Sequence, residues 1–168
     1  MCKDQEKTFL TALEKNQQKL FRVCSVYGKD LEDTKDLFQE VLINIWKSMP
    51  SFKEDSSLET WMYRITLNVC LRFRSNQIKK QERFTRLDSL QIDRIKNDLI
   101  ESEENESLVR LRNCIKLLNE ADRAVISLYL EKLPYLEISK ILGLSENNIA
   151  VKIKRIKTKL LNCLNHKS

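Results

Sequence analysis

The chain has 168 residues, of which 42% are apolar, enough to build the core of one domain or of two small helical domains. A net charge of +6 and a pI near 9.1 suggest a polyanionic partner. The N-terminus, "MCKDQEKTF", has no apolar signal segment, and no stretch approaches the roughly eighteen apolar residues that a membrane span needs. We therefore expect a soluble, cytoplasmic protein with no membrane insertion.

Few residues that interrupt helices occur in this chain, which has only two glycines and two prolines. Gly28, Pro50, Pro134 and Gly143 all fall where the apolar periodicity stops or restarts, as residues at helix ends should. Leucine, lysine and glutamate are plentiful, and these residues favour helix. The sequence therefore predicts an all-α protein.

The five cysteines are scattered without the C-x-x-C spacing of a metal site. The single histidine, His166, lies in the terminal tail, so we expect no metal site. The spacing also argues against a disulfide framework, and an odd number of thiols fits a reducing cytoplasm.

Two helices are predicted at the start of the chain. The first spans about residues 5–27, and Asp30 or Asp33 can cap the second. In the second helix, "TKDLFQEVLINIWKSM", a wide apolar stripe lies opposite a polar side on which Ile43 is out of place.

A polar loop, "PSFKEDSS", precedes the third predicted helix, "LETWMYRITLNVCLRF". Ser56 or Ser57 can cap this helix. Its inward side is apolar and contains Met62, Ile65, Val69 and Phe73. Its outward side is polar and contains Arg64, Asn68 and Arg72.

The charges form a basic, an acidic and a second basic segment. Residues 72–86 contain six basic residues and one acid, residues 87–106 contain seven acids and two basic residues, and residues 147–168 contain six basic residues and no acid. The acidic segment has weak apolar periodicity and many like charges. We therefore expect a flexible acidic linker over 87–106 between two small helical domains, at 1–86 and 107–168.

The second half of the chain ends in a helix-turn-helix pattern. After two predicted helices, "PYLEISKILGLSENNIAVKIKRIKTKLLNCL" predicts a short helix over 135–142, a turn containing Gly143, Ser145 as N-cap and a long final helix. Five cationic side chains fall within eight positions of that helix, at Lys152, Lys154, Arg155, Lys157 and Lys159. This cationic face favours DNA binding, and a helical hairpin with a solvated lysine-rich face is the alternative.

Two segments of the sequence resemble one known family. "EDTKDLFQEVLINIWKSMPSFKEDSSLETWMYRITLNVCLRF" resembles region 2 of bacterial sigma-70-type factors of the extracytoplasmic function (ECF) group, and "LNEADRAVISLYLEKLPYLEISKILGLSENNIAVKIKRIKTKL" resembles their region 4. The resemblance implies binding to core RNA polymerase, through the β′ clamp coiled coil and the β subunit. It also implies promoter DNA as a partner, and an anti-sigma factor that could hold the chain near the membrane.

Two DNA contacts would explain two basic surfaces. The resemblance assigns the −10 promoter element to region 2 and the −35 element to region 4. If these elements lie about 17 base pairs apart, they are separated by about 58 Å. A twenty-residue linker reaches at most ~66 Å, which is enough to join the two domains.

Within region 2, the resemblance implies two interfaces. The segment that matches the family's "DLVQEVF" docks on the β′ clamp coiled coil, and its exposed positions are Asp36, Gln39, Glu40, Ile43 and Lys47. The segment that matches "TWLYRIARN", with the loop before it, faces the −10 element through Phe52, Lys53, Trp61, Arg64, Asn68 and Arg72. Trp46 matches an aromatic position at which we expect core packing. Leu67 and Arg72 depart from the family pattern, in which a basic residue and a later aspartate are common.

Within region 4, the resemblance implies a −35 surface on the turn and the final helix. Its residues would be Ser145, Asn147, Asn148, Val151, Lys152, Arg155 and Lys159. Asn147 and Asn148 lie near the helix start, and asparagine pairs bidentately with adenine. Lys152 and Arg155 are expected one turn further on, on the same side. Ala150 replaces a commonly basic residue, so the promoter sequence preference of relatives does not carry over.

Three functions are compatible with the residues themselves. A sigma initiation factor without catalytic residues explains both segments, and a stand-alone helix-turn-helix regulator explains the second. A helical adaptor that binds acidic proteins through its basic faces is the third. An enzyme is least favoured, because the sequence contains no nucleophile and base set, no metal cluster and no glycine-rich phosphate loop. We therefore expect no cofactor.

Overall fold

The computed structural model describes residues 3–87 and 105–166, which form seven α-helices and no strand. These helices are α1 (Lys3–Ser25), α2 (Leu31–Ser48), α3 (Leu58–Leu87), α4 (Glu106–Lys116), α5 (Glu120–Leu130), α6 (Tyr135–Leu142) and α7 (Glu146–Asn165). The prediction of an all-α fold is confirmed. Residues 88–104, which make up most of the predicted acidic linker, lie outside the described residues, as do Lys167 and the side chains of Gln77 and residues 79–87.

α1, α2 and α3 pack together as an N-terminal bundle. Its core is apolar and includes the buried residues Leu20, Leu37, Val41, Ile45 and Met62. The Asp30 side chain begins α2 by accepting a hydrogen bond from the backbone N–H of Asp33, at 2.8 Å. The Ser57 hydroxyl accepts a similar bond from the N–H of Thr60, at 3.2 Å, in the first turn of α3. These caps fix where the polar sides of α2 and α3 begin.

Gly28 lies where the chain turns from α1 to α2 too tightly for a side chain. A Cβ atom at this position would lie 2.4 Å from Oγ1 of Thr34 and 2.8 Å from its backbone nitrogen. Thr34 is buried, and its hydroxyl donates to the carbonyl of Asp30 at 2.8 Å. Glycine is therefore required by the close approach of α2.

α4 to α7 form a C-terminal domain in which α7 packs against the other three helices. Its core is apolar and includes the buried residues Val125, Leu128, Ile138, Ile149, Ile153 and Ile156. The side chain of Asn119 begins α5 by accepting a hydrogen bond from the N–H of Asp122, at 2.8 Å. α6 of this domain also packs against α3 of the N-terminal bundle.

One disulfide joins α4 to the C-terminal end of α7, although the cysteine spacing argued against disulfides. Cys114 and Cys163 are bonded across a separation of 49 residues, with their Cα atoms 6.0 Å apart. The sequence did not reveal this pair because the two helices meet only when the whole domain is folded. Cys24 and Cys70 are buried and free in the N-terminal bundle, with their sulfurs 4.0 Å apart, and burial raises the pKa of the Cys70 thiol well above its ordinary value.

Neither membrane nor metal features occur in the described ranges. Within residues 3–87 and 105–166, no helix combines the length and the apolar content needed to cross a bilayer. The same residues contain no group of three histidine, cysteine, aspartate or glutamate side chains that could hold a metal ion.

Candidate polymerase and nucleic-acid interfaces

The residues predicted to face the polymerase form an exposed strip along α2, which we call the α2 strip. Its members are Asp36, Gln39, Glu40, Ile43 and Lys47, all of them exposed. They recur at intervals of three and four residues, which places them on one side of the helix. The opposite side is buried in the core of the bundle. The α2 strip therefore combines carboxylate and amide groups with one aliphatic side chain.

Two apolar side chains of α2 are exposed at this surface. Ile43 is 52% exposed. Trp46, which we expected in the core, is 36% exposed and packs edge-on against Phe9 with ring centroids 5.1 Å apart. Phe9 therefore covers only part of the indole. Trp46 thus adds apolar surface one turn from Ile43.

The residues predicted to face the −10 element lie in the loop before α3 and along the first half of that helix. The rings of Phe52 and Trp61 pack with centroids 5.0 Å apart and attach the preceding loop to the helix. Lys53 in the loop and Asn68 on the helix are exposed. This loop and helix face form a surface on which an unpaired base could stack.

Two arginines of the predicted −10 set have partners within the chain. Nη2 of Arg64 donates to the backbone carbonyl of Lys140 in α6, at 3.1 Å. Nη2 of Arg72 donates to Oδ1 of Asn44 in α2, at 3.4 Å. Arg72 remains exposed, whereas Arg64 lies against the C-terminal domain.

α6, a tight turn and α7 form the predicted helix-turn-helix. Gly143 adopts φ of 71° and its N–H donates to the carbonyl of Ser139 at 2.8 Å. No atom lies within 4 Å of a Cβ placed on Gly143, so the left-handed backbone, rather than space, favours glycine here. The hydroxyl of Ser145 accepts from the N–H of Asn148 at 3.1 Å. Ser145, a predicted −35 residue, therefore begins α7.

The first half of α7 presents an exposed side suited to the major groove. Asn147, Asn148, Val151 and Arg155 are exposed, as the prediction of a −35 surface requires. Lys154 is also exposed, although we did not include it in that surface. Its spacing of three residues from Val151 and seven from Asn147 was the signal that could have identified it.

Two predicted −35 lysines contact a buried carboxylate of α5. Asp122 on α5 is 1% exposed. Lys159 donates from Nζ to its Oδ2 at 2.9 Å, and Nζ of Lys152 lies 4.0 Å from its Oδ1. The two lysines are separated by two helical turns, so they approach Asp122 from the same side of α7. Lys152 lies one turn before Arg155, and its ammonium group turns toward Asp122, which leaves its side chain 20% exposed.

A third cation of α7 lies against an aromatic ring. Nζ of Lys157 is 4.6 Å from the ring centroid of Tyr129, and the hydrogen bond with Tyr129 raises the pKa of Lys157. Lys157 is thus held at the side of α7 that faces α5. The outward cationic surface consists mainly of Lys154 and Arg155.

Family models match both halves of the chain. The model described as "Sigma-70 region 2" matches residues 12–83, which contain the α2 strip and the predicted −10 surface. The model described as "Sigma-70, region 4" matches residues 108–160, which contain the helix-turn-helix. The chain belongs to the sigma-70 family. We therefore refer to the N-terminal bundle as region 2 and to the C-terminal domain as region 4.

Two relatives of this sigma-70 chain are named as ECF factors. It is 38% identical over 63 residues to the ECF RNA polymerase sigma factor SigG of Mycobacterium tuberculosis, a match that covers 38% of this chain and 17% of that protein. It is 30% identical over 133 residues to the ECF RNA polymerase sigma-E factor of Escherichia coli, covering 79% of this chain and 65% of that protein. The chain therefore spans less than two thirds of either relative. These matches confirm the predicted resemblance to the ECF group.

A solved structure has the same fold in both regions. The sigma factor RpoE from Bartonella quintana, in a co-crystal structure with the anti-sigma factor NepR, superposes with a TM-score of 0.71 at 20% identity. The superposition covers 99% of this chain and 100% of that chain. The fold is thus shared over both regions although the sequence identity is low.

We expect Asn148 in region 4 to read a base and Lys154 to contact phosphate. Asn148→Ala should cost about 1–3 kcal/mol of discrimination at one position of the −35 duplex. Lys154→Ala should weaken binding to all sequences alike and reduce the salt slope by about one unit. Selection from a randomised duplex library, followed by titration at two salt concentrations, measures both effects.

Asn162→Ala is the matched control, because Asn162 is exposed in the second half of the same helix. It should change neither base preference nor salt slope. An equal loss on all duplexes for Asn148→Ala would contradict the assignment of Asn148 to base reading.

Proposed function

We propose that this chain is an initiation factor that binds core RNA polymerase, recognises the −35 and −10 promoter elements and helps to open the DNA. The observation that supports this proposal is the presence, in one chain, of the α2 strip in region 2 and of an outward helix-turn-helix surface in region 4. We further propose that the chain acts in the cytoplasm and contributes no catalytic residues of its own. In this proposal RNA polymerase catalyses RNA synthesis, and this chain selects the promoter at which synthesis begins.

The α2 strip fits a small docking site on a helical partner. Ile43 would supply the apolar contact, and Asp36, Gln39 and Glu40 would supply a polar rim that complements basic groups on the β′ clamp coiled coil. In the melted promoter, an unpaired −10 base would be held by the loop at Lys53 and by Asn68. Stacking and hydrogen bonding of such a base offset part of the few kcal/mol lost on unpairing.

An anti-sigma factor is the further partner that we propose. The similar RpoE structure is a complex with the anti-sigma factor NepR. Because the fold extends over both regions, we extend that class of partner to this chain. Binding to a membrane-attached anti-sigma factor would keep the chain near the membrane without inserting it.

A stand-alone helix-turn-helix regulator is the second candidate function. Such a protein needs only the outward side of α7, and the α2 strip would then have no use. The two functions differ in strand opening, which permanganate oxidation of unpaired thymines detects. With core enzyme, we expect reactive thymines at the −10 element of promoters that the chain binds. If no bound promoter ever shows them, the initiation-factor proposal fails and the regulator is favoured.

Adding positive charge to the α2 strip should disrupt polymerase binding. We expect Gln39→Lys combined with Glu40→Lys to weaken the affinity for core enzyme at least about tenfold, because like charges would face each other across the interface. Both residues are exposed, so stability should change by no more than about 0.5 kcal/mol. Competition binding to core enzyme measures the effect.

Glu14→Lys combined with Gln17→Lys is the matched control. It changes the same residue types on the exposed side of α1. The control should bind core enzyme like the wild type. If the two double variants bind core enzyme with equal affinity, the α2 strip is not part of the interface.

A further inference from the structure

A charged pair joins region 2 to region 4. Arg22 on α1 donates from Nε to Oε1 of Glu131 at 2.8 Å and from Nη2 to Oε2 at 2.7 Å. The Glu131 side chain is only 7% exposed, whereas that of Arg22 is 55% exposed. A carboxylate that is removed from water depends on its cationic partner, because a covered charge without a partner is strongly unfavourable. The pair therefore favours contact between the two regions.

Two more contacts link α3 of region 2 to α6 of region 4. The hydroxyl of Thr60 donates to the carboxylate of Glu137, and this hydrogen bond holds the pKa of Glu137 below its ordinary value. Arg64 donates to the carbonyl of Lys140. α6 is the first helix of the helix-turn-helix, and α3 carries the predicted −10 surface. The helix-turn-helix of region 4 thus covers part of the predicted −10 surface of region 2.

The contact between the regions leaves other surfaces open. The α2 strip is exposed, and so is the outward side of α7. The Arg64 side chain of α3 lies 3.1 Å from the backbone carbonyl of Lys140 in α6, whereas promoter elements about 17 base pairs apart are separated by about 58 Å. The two regions cannot reach both elements while α3 and α6 remain in contact. In this arrangement the surface for polymerase is available and simultaneous promoter contact is not.

The joint between the regions is imperfectly packed. A cavity of about 440 Å³ lies at the joint, with Lys19 and Glu59 on the region 2 side and Leu130 and Lys132 on the region 4 side. Arg123 of region 4 lies under the ring of Tyr27, with its guanidinium carbon 5.5 Å from the ring centroid.

The burial of Arg123 also favours opening. It is 2% exposed, and within the described part of the chain its Nε and Nη1 have no hydrogen-bond partner. Buried donors without partners are costly, and separation of the regions would return them to water. The closed joint is therefore held by a few polar contacts against an opposing cost.

We propose that the Arg22–Glu131 pair is a latch that holds this chain in a closed state, able to dock on polymerase but unable to engage both promoter elements until it opens. The latch is a property of the chain alone. Its consequence for promoter engagement rests on the proposed function. The partner that occupies the −10 side of region 2 in the closed state is region 4 of the same chain.

Charge reversal and charge exchange test the latch. R22E and E131R should each lower the ratio of closed to open chains about tenfold or more, because each leaves two like charges at the joint. The R22E/E131R double variant should close again, because it restores an opposite pair. E131Q keeps the shape of the side chain without its charge, so it should open the chain even if E131R folds poorly. K15E is the matched control, because Lys15 is exposed on α1 two turns before Arg22 and does not line the cavity at the joint.

Small-angle X-ray scattering measures the closed fraction on the full chain. A compact chain of 168 residues has a radius of gyration of about 15 Å. Wild type, K15E and the double variant should lie near that value, and the single latch variants should be clearly larger. If all the variants are equally compact, or if the wild type is as extended as R22E, the latch is overturned.

Promoter opening with core enzyme separates the latch from the proposed function. R22E should open promoters faster than the wild type, while its affinity for an isolated clamp coiled coil is unchanged. If scattering follows the charge pattern but no variant yields permanganate-reactive thymines, the proposed function fails and the latch stands. If R22E opens promoters no faster than the wild type while scattering shows it extended, the role of the latch in promoter engagement is overturned.

Discussion

Reduction of the Cys114–Cys163 disulfide should lower the free energy of unfolding of region 4 by about 4 kcal/mol. The bond closes a loop across 49 residues, and in the chain-entropy model a loop of this length restricts the unfolded state by that amount. Small domains are stable by only about 5–15 kcal/mol, so reduction would remove a large share of the total. Urea unfolding followed by circular dichroism, with and without dithiothreitol, measures the difference.

The Cys114→Ala/Cys163→Ala variant is the control for this experiment. It should unfold at the same urea concentration with and without reductant, because its two remaining described thiols, Cys24 and Cys70, are not bonded. An unchanged midpoint for the wild type on reduction would contradict the stabilising role of the bond.

Reduction of the disulfide should leave recognition of the −35 element unchanged as long as region 4 stays folded. Cys163 lies fifteen residues after Asn148 on the same helix, which is about 22 Å along its axis. The disulfide therefore acts on α4 and the end of α7, and not on the outward side at the helix start. Any loss of −35 binding should follow the unfolded fraction and leave the base preference of the folded fraction unchanged.

The helices could be predicted from the sequence because their signals are local. Ser145 was predicted to begin the final helix, and it does so through the N–H of a residue three positions later. Asp30 and Gly143 likewise act on neighbours within four residues. The exposure of Ile43 was also predicted, because an apolar residue on the polar side of an amphipathic helix stands out without knowledge of any other element.

The pairs that hold these helices together could not be predicted in the same way. Arg22 and Glu131 are 109 residues apart, and Asp122 and Lys159 are 37 apart. A charged residue looks the same in a sequence whether water or another side chain surrounds it. Lys152 illustrates the difficulty, because its long, flexible stem lets the ammonium group turn toward Asp122.

The cationic residues of α7 therefore have two different uses. Lys154 and Arg155 point outward, and Lys152, Lys157 and Lys159 contact groups of α5. A count of five cations therefore overstates how many phosphates this helix would contact in the proposed complex with DNA. The salt dependence of DNA binding should be correspondingly smaller.

Replacing Asp122 should test both uses at once. We expect Asp122→Ala to destabilise region 4 by about 2–3 kcal/mol, because it leaves two lysines beside a covered site without their carboxylate. This loss of stability is at or below the low end of the range for breaking a buried ion pair, because the Lys159 side chain is 46% exposed. Glu120→Ala is the matched control, an exposed acid in the same first turn of α5, and should cost no more than about 0.5 kcal/mol. Urea unfolding at constant m-value measures both variants.

Removing only the charge of Asp122 should strengthen DNA binding. Asp122→Asn keeps the volume of the side chain, so region 4 should stay folded while Lys159 is released toward solvent. Binding to duplex DNA of any sequence should then tighten, and the salt slope should rise by about one unit, because one more cation is free to meet phosphate. Base preference set by Asn148 should not change. When Asp122→Asn is combined with Lys159→Ala, the gain in DNA affinity should disappear. If Asp122→Asn and the wild type have the same salt slope, Asp122 does not hold Lys159 away from DNA.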